Sequence, residues 1–559
     1  MRKCILVPFR TVNFHYRLTL MRRSIYMVFV LFLAQCASKP SIREEETAKT
    51  ALLCGTVPIS LSDIDKLPTP KQWSNIGNSH LVLQNSSTEA QEWFDQGLNM
   101  LHSFFHLEAY RAFQQVIRTD ASQPMGYWGI AMCQPGFGSV ENPLWKNNIQ
   151  KAFELRSKAT PFQQQLIEAS YMLINQGIDA AQMPFRNLYK NFPAEPEAVA
   201  FAAIILRQKG DEKTLAEIKE WLEKALVQFP DNVGLMHYYV HVMELMPTAA
   251  QAIPVAEKMK KLAADAPHLL HMPGHLYYLS GDYDKAVKTY EYAKTKELAY
   301  HKAENIPLSA NQNYIHNLQF IAVAQAELGD YEATMKTAKE IAYLNLSAEM
   351  PNEGAIQVML YEVRILPALV AIRYNRWQDA IKELSFWLNT PDVPIKKPMV
   401  RLYLEAMLAY TKGMNAIYPT NGGNLRVEGM EEAIRHGQEL GQLMQQFEQQ
   451  ANTQQNSPEW QIINETFDIM SMARYELAGW IDNLNPRQPF NDTAWKEAYS
   501  LESAIRYDEP PRLMYPIAES EGRLHLLRGE KTEAQKAFDK ALQKRPKSPM
   551  IFKLKKKEI

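Results

Sequence analysis

Cysteine is scarce: the 559 residues hold four, Cys4, Cys36, Cys54 and Cys133. They make no CxxC and no metal-ligand spacing, which excludes a zinc ribbon, a thioredoxin-like redox pair and a disulfide-stapled scaffold. Cys54 and Cys133 could close one disulfide after export, or stand as two separate buried thiols. Glycine is also sparse, at 23 residues. There is no P-loop, no G-x-G-x-x-G following a strand and no G-x-S-x-G, so the usual phosphate-cradling and serine-hydrolase motifs are missing. No excess of one charge exists: 61 Lys and Arg face 62 Asp and Glu, a net charge of -1. That balance carries no electrostatic footprint for nucleic acid, which is set aside as a partner. No run is apolar over the roughly 20 residues that a membrane-spanning helix needs. Strand-type alternation is not sustained anywhere.

What is present favours helix. Ala, Leu, Glu, Lys, Gln and Met abound, with 46% hydrophobic and 22% charged residues overall. At the N-terminus Arg22-Arg23 precedes a short apolar run, Ile25 to Ala34, and then small residues. This is the layout of a secretory signal, with Met21 as an alternative start to Met1. Leu33-Ala34-Gln35-Cys36 resembles a bacterial lipobox, in which Cys36 would carry the lipid; Gln35 departs from the usual small residue. The expectation is an exported cell-envelope lipoprotein held to a membrane surface by that anchor. Residues 1–36 are then the signal, and 37–88 a tether and extended segment.

A period near 34 residues organises the remainder. Gly522, Gly529, Ala534, Phe538, Ala541 and Pro546 fall where a helical pair needs small residues for close approach, an aromatic plug and a proline stop. Trp93, Gly97, Ala109 and Phe113 fit the same ruler, as do Gly274, Tyr277, Gly281, Ala286, Tyr290 and Ala293. Partial matches surround Leu318–Tyr331, Ala368–Ala380 and Leu222–Pro230. These are the marks of tetratricopeptide repeats (TPR). The predicted fold is all-α, an α-solenoid of antiparallel helix pairs. It runs over 89–395 with the histidine patch, then over 396–559 as a C-terminal helical region ending in a repeat.

Several segments go beyond the generic repeat. They are Ala90-Gln-Glu-Trp-Phe-Asp-Gln-Gly-Leu98, Phe105 to Phe113, Met125-Gly-Tyr-Trp128-Gly129-Ile-Ala131, His271-Met-Pro-Gly-His275, Tyr314-Ile-His316-Asn317 and Tyr507-Asp-Glu509-Pro510-Pro511. Together, from about His80 to Pro546, they resemble a family of exported bacterial TPR proteins of unsettled biochemical function. The resemblance implies the fold and makes the histidine motifs part of the family pattern. Gly274 stands where that pattern often has Ser, and Gln319 where a second histidine often follows His316-Asn317.

Seven of the 13 histidines fall between Asp231 and Asn317. His237 and His241 are four apart, so a helix places them on one face, with Glu244 one turn on. Two imidazoles at that spacing can bind one ion, although Tyr238 stands where a zincin has its glutamate. Pro273 is expected in the first turn of a helix, with His275 beside it and His268 and His271 in the approach. First helices of successive repeats line the concave surface, which would bring His237, His241, His271, His275 and His316 into one groove. Three readings follow: capping and packing between repeats, a divalent transition metal (zinc or copper-like) with Glu244 as a ligand or supporting carboxylate, or a ligand groove. In the third, Tyr238, Tyr277, Tyr278 and Tyr314 would offer stacking faces. His102 and His106 read as packing, and Tyr507 and Glu509 as braces of a helix-entry loop.

The leading functional expectation is a scaffold that engages a protein or peptide in its concave groove. The alternatives are a metal-binding protein or metal-dependent enzyme, and a glycan- or nutrient-binding lipoprotein. No catalytic set stands out, which favours binding over turnover.

Overall fold

The computed structural model describes Ile64 and residues 67–134, 143–208, 210–306, 308, 312–344, 361–390, 398–419, 423–454, 460–505 and 509–556. All belong to one compact unit, 46–559. The export segment, Cys36, Cys54 and Tyr507 lie outside the described residues.

Twenty-three α-helices are found among the described residues, and no strand. In chain order the pairs are α1 Thr88–His102 with α2 His106–Thr119, α3 Pro124–Met132 with α4 Pro143–Leu155, and α5 Pro161–Gln176 with α6 Ile178–Asn191. Next come α7 Pro196–Arg207 with α8 Glu212–Gln228, α9 Val233–Glu244 with α10 Ile253–Leu262, and α11 Pro267–Ser280 with α12 Tyr283–Glu304. They are followed by α13 Gln312–Leu328 with α14 Tyr331–Ala342, α15 Leu366–Arg373 with α16 Trp377–Asn389, and α17 Pro398–Ile417 with α18 Met430–Ala451. The last are α19 Trp460–Asp482 with α20 Thr493–Ala504 and α21 Ile517–Leu527 with α22 Lys531–Lys544, followed by a closing helix, α23 Pro549–Lys555. This is the expected α-solenoid of TPR-like pairs.

Local chemistry sets the helix ends. Proline opens α3, α5, α7 and α11, where its missing N–H costs nothing. Thr160 and Gln163 form a capping box at α5, and Asp211 and Asn232 cap α8 and α9 through their side-chain oxygens. Gly281 ends α11 at φ 79°, a left-handed conformation that suits glycine.

Within a pair, glycine meets an aromatic ring. Gly97 faces Phe113 and Gly522 faces Phe538, each so close that a Cβ would lie 2.7 Å from the ring. Gly274 faces Tyr290 in the same way, which accounts for glycine at that position. Gly479 against Trp495 is a fourth case, with a Cβ at 2.6 Å, that the sequence reading did not pick out. No helix among the described residues is long and apolar enough to cross a membrane.

The solenoid folds back on itself. α1 packs on α9, and α23 packs on α13. Ser548 donates to Glu327 at 2.7 Å, Arg373 bonds Glu327 through both its terminal nitrogens at 2.8 Å, and Lys547 reaches Asp282 at 3.3 Å. The expectation of an open groove is corrected: the face that carries the histidines is interior, with all six rings buried between packed helices.

Candidate metal centre

Pro273 does not start a helix. α11 starts at Pro267, so Pro273 lies inside it. His268, His271 and His275 therefore share one helical face at i, i+3 and i+7, instead of lying in an approach segment. Helix α9 supplies His237 and His241, and α13 supplies His316. The stacking of α9, α11 and α13 brings all six rings together. Every one is buried, from 0% exposure for His237 and His275 to 5% for His316.

The six rings divide into two groups. The ligand atoms of His237, His241 and His268 lie within 4.8 Å of one another, and so do those of His271, His275 and His316. The rings of His268 and His271, 4.6 Å apart, join the groups. Glu244 links them a second way: one carboxylate oxygen accepts from His241 Nδ1 at 2.9 Å and the other from His275 Nδ1 at 2.8 Å. With Nδ1 protonated, each ring keeps its lone pair on Nε2. Both Nε2 atoms are buried and have no hydrogen-bond partner, as do His271 Nε2 and His268 Nδ1. His237 donates from Nδ1 to the carbonyl of His102 at 2.5 Å, which turns its Nε2 toward His268 Nε2 at 3.1 Å. Two imidazole nitrogens bound at about 2.0–2.1 Å to one tetrahedral zinc would lie about 3.3 Å apart.

Burial pushes His237, His241, His268, His271 and His316 well below the usual imidazole range, and neighbouring imidazoles push the same way. Neutral imidazole is the form that ligates. A carboxylate also arrives from far along the chain. Glu509 forms a group with His241 and Glu244 whose ligand atoms lie within 4.8 Å. Burial raises the Glu509 carboxyl above its ordinary range, and Glu244 adds to that. Arg207 opposes the shift; it donates to the His241 carbonyl at 2.9 Å and reaches Glu509 at 3.5 Å.

Phenylalanines wall the centre. Phe104 lies 4.7 Å from the His237 ring, 5.4 Å from His241 and 5.2 Å from His268. Its φ of 53° is an outlier for a bulky side chain. Such strain tends to persist where the surroundings over-determine a residue, often at a functional site. Phe320 stands 4.1 Å from His275 and 5.0 Å from His316.

The remaining candidates have other partners. Tyr238, Tyr278 and Tyr314 are buried, so they present no stacking face to solvent; Tyr238 bonds His102 at 2.9 Å and Tyr314 bonds Glu340 at 2.8 Å. Tyr277 is partly exposed and bonds Glu257 at 3.1 Å. His102 also meets Glu197 at 2.5 Å, and His301 meets the Ile306 carbonyl at 3.0 Å. Gln319 donates to Glu362 at 3.2 Å. Cys133 is a free, buried thiol. Sequence reasoning placed five of the six histidines and Glu244 together. It left out His268, which the i, i+3, i+7 spacing from Pro267 could have revealed. It read Glu509 as a brace of a helix-entry loop, not as a member of this centre, and it did not single out Phe104.

No family model and no curated protein sequence matches the chain. Among solved structures, a human IFIT1 dimer with m7Gppp-AAAA has a TM-score of 0.35 at 14% identity, covering 63% of this chain and 81% of that one. A human IFIT1 dimer with PPP-AAAA has 0.29 at 13% identity, covering 82% and 95%. Naa15/Naa10 bound to HypK-THB has 0.20 at 9% identity, covering 83% and 90%. Two of these structures hold capped or triphosphate AAAA, a ligand of those proteins, and the exclusion of nucleic acid drawn from this chain's composition is corrected. Net charge is a sum over the whole chain and does not report a local patch, so a balance of -1 excludes nothing of that kind.

Proposed function

We propose that the chain is a helical-repeat protein that binds a transition metal at the buried histidine centre. One observation carries the reading: Glu244 holds Nδ1 of both His241 and His275, which leaves two buried Nε2 atoms with no partner. A buried polar atom without a partner costs about 1–3 kcal/mol, and a bound ion would remove that cost. A carboxylate behind a ligating imidazole is a frequent supporting arrangement at metal sites. Neutral imidazoles suit zinc and copper better than magnesium or calcium. The burial of all six rings favours holding an ion over turning over a large substrate. Export and lipidation at Cys36 would place this centre in the cell envelope. The outer faces of the helical pairs would leave room for a protein or peptide partner, or a glycan.

The test is elemental analysis of untagged protein, residues 37–559, after growth with metal supplements. At least one equivalent of zinc or copper is expected, with marked loss in His241→Ala and His275→Ala. No metal in protein whose helical circular dichroism is intact would overturn the reading.

A further inference from the structure

This inference rests on the metal reading above and concerns how many ions the centre takes. We infer that the centre holds two ions, one in the His237, His241 and His268 group and one in the His271, His275 and His316 group.

Four features point to two subsites. The ligand atoms cluster as two separate triads, not as one set of six. Glu244 gives one oxygen to each triad, so the two subsites share one supporting carboxylate. Each triad has its own unpartnered buried Nε2: that of His241 in the first, and those of His271 and His275 in the second. A single ion bound by three or four ligands would leave part of this set unused. Each triad also has its own aromatic wall, Phe104 on the first and Phe320 on the second. Glu509 forms a group with His241 and Glu244, and His275 also acts on its charge, so a further carboxylate stands beside the two subsites.

The experiment loads metal-free protein with zinc, and separately with cuprous ion under anaerobic reducing conditions, and counts bound metal after desalting. Two equivalents of at least one metal are expected. His268→Gln and His316→Gln should each retain one equivalent, and the double variant none. Anomalous diffraction from zinc-loaded crystals should give two peaks, one against each triad. One equivalent with both metals, or a single peak, overturns the two-ion inference and leaves the metal reading in place. No bound metal overturns both. If the glutamine variants misfold, the equivalents and the peaks of the unaltered protein still decide.

Discussion

Glu244→Gln changes one atom of the side chain and almost none of its volume, yet it should disable part of the centre. The carboxylate accepts from His241 Nδ1 at 2.9 Å and from His275 Nδ1 at 2.8 Å. Glutamine has one oxygen and one NH₂ group, so it can accept from only one of the two rings. The other ring meets the NH₂ and must accept at Nδ1. Its proton then moves to Nε2, the atom meant for the metal. Loss of a supporting carboxylate costs about 10–100-fold in metal affinity. That is about 1.4–2.8 kcal/mol at one ion. The assay is competition against a chromophoric zinc chelator, with helical circular dichroism as the control. One ion should bind more weakly and the other stay near its original affinity. Zinc affinities within twofold of the unaltered protein at both ions, with the fold intact, would refute this expectation.

Other outcomes are expected elsewhere. In Gly522→Ala the new methyl would press on Phe538 from 2.7 Å, and overpacking of this kind costs about 1–3 kcal/mol. A urea midpoint equal to that of the parent protein would contradict the close approach. At Glu327, burial alone would raise the carboxyl, but Arg373, Arg545 and Ser548 outweigh it and hold the group below its ordinary 4.5. A folded-state value below the unfolded one gives stability that is full above about pH 4.5 and is lost as pH falls through the lower folded value. Glu327→Gln breaks a buried pair and should cost about 3–5 kcal/mol at neutral pH, a difference that narrows in acid. A penalty that stays constant from pH 7 to pH 3 would speak against this network. Zinc at 100-fold over its dissociation constant should raise unfolding free energy by about 2.7 kcal/mol, read as a higher melting temperature.

The sequence by itself determined the helical pairs and their register. Gly97 with Phe113, Gly274 with Tyr290 and Gly522 with Phe538 repeat one spacing, and each proves to be a close glycine–ring contact. Such contacts form within one helical hairpin, so a local pattern is enough to encode them. The i, i+4 placement of His237 and His241 was legible for the same reason. The start of α11 was misread, because Pro267 and Pro273 both fit a first turn and the sequence shows no preference between them. Only the tertiary structure decided that the histidine face is interior, that Glu509 reaches His241, that Phe104 covers one triad and that Glu244 divides its oxygens between two rings. These features depend on how the whole superhelix curls until α1 meets α9 and α23 meets α13. Curl is the sum of small rotations between neighbouring pairs, and no single segment of the chain carries it.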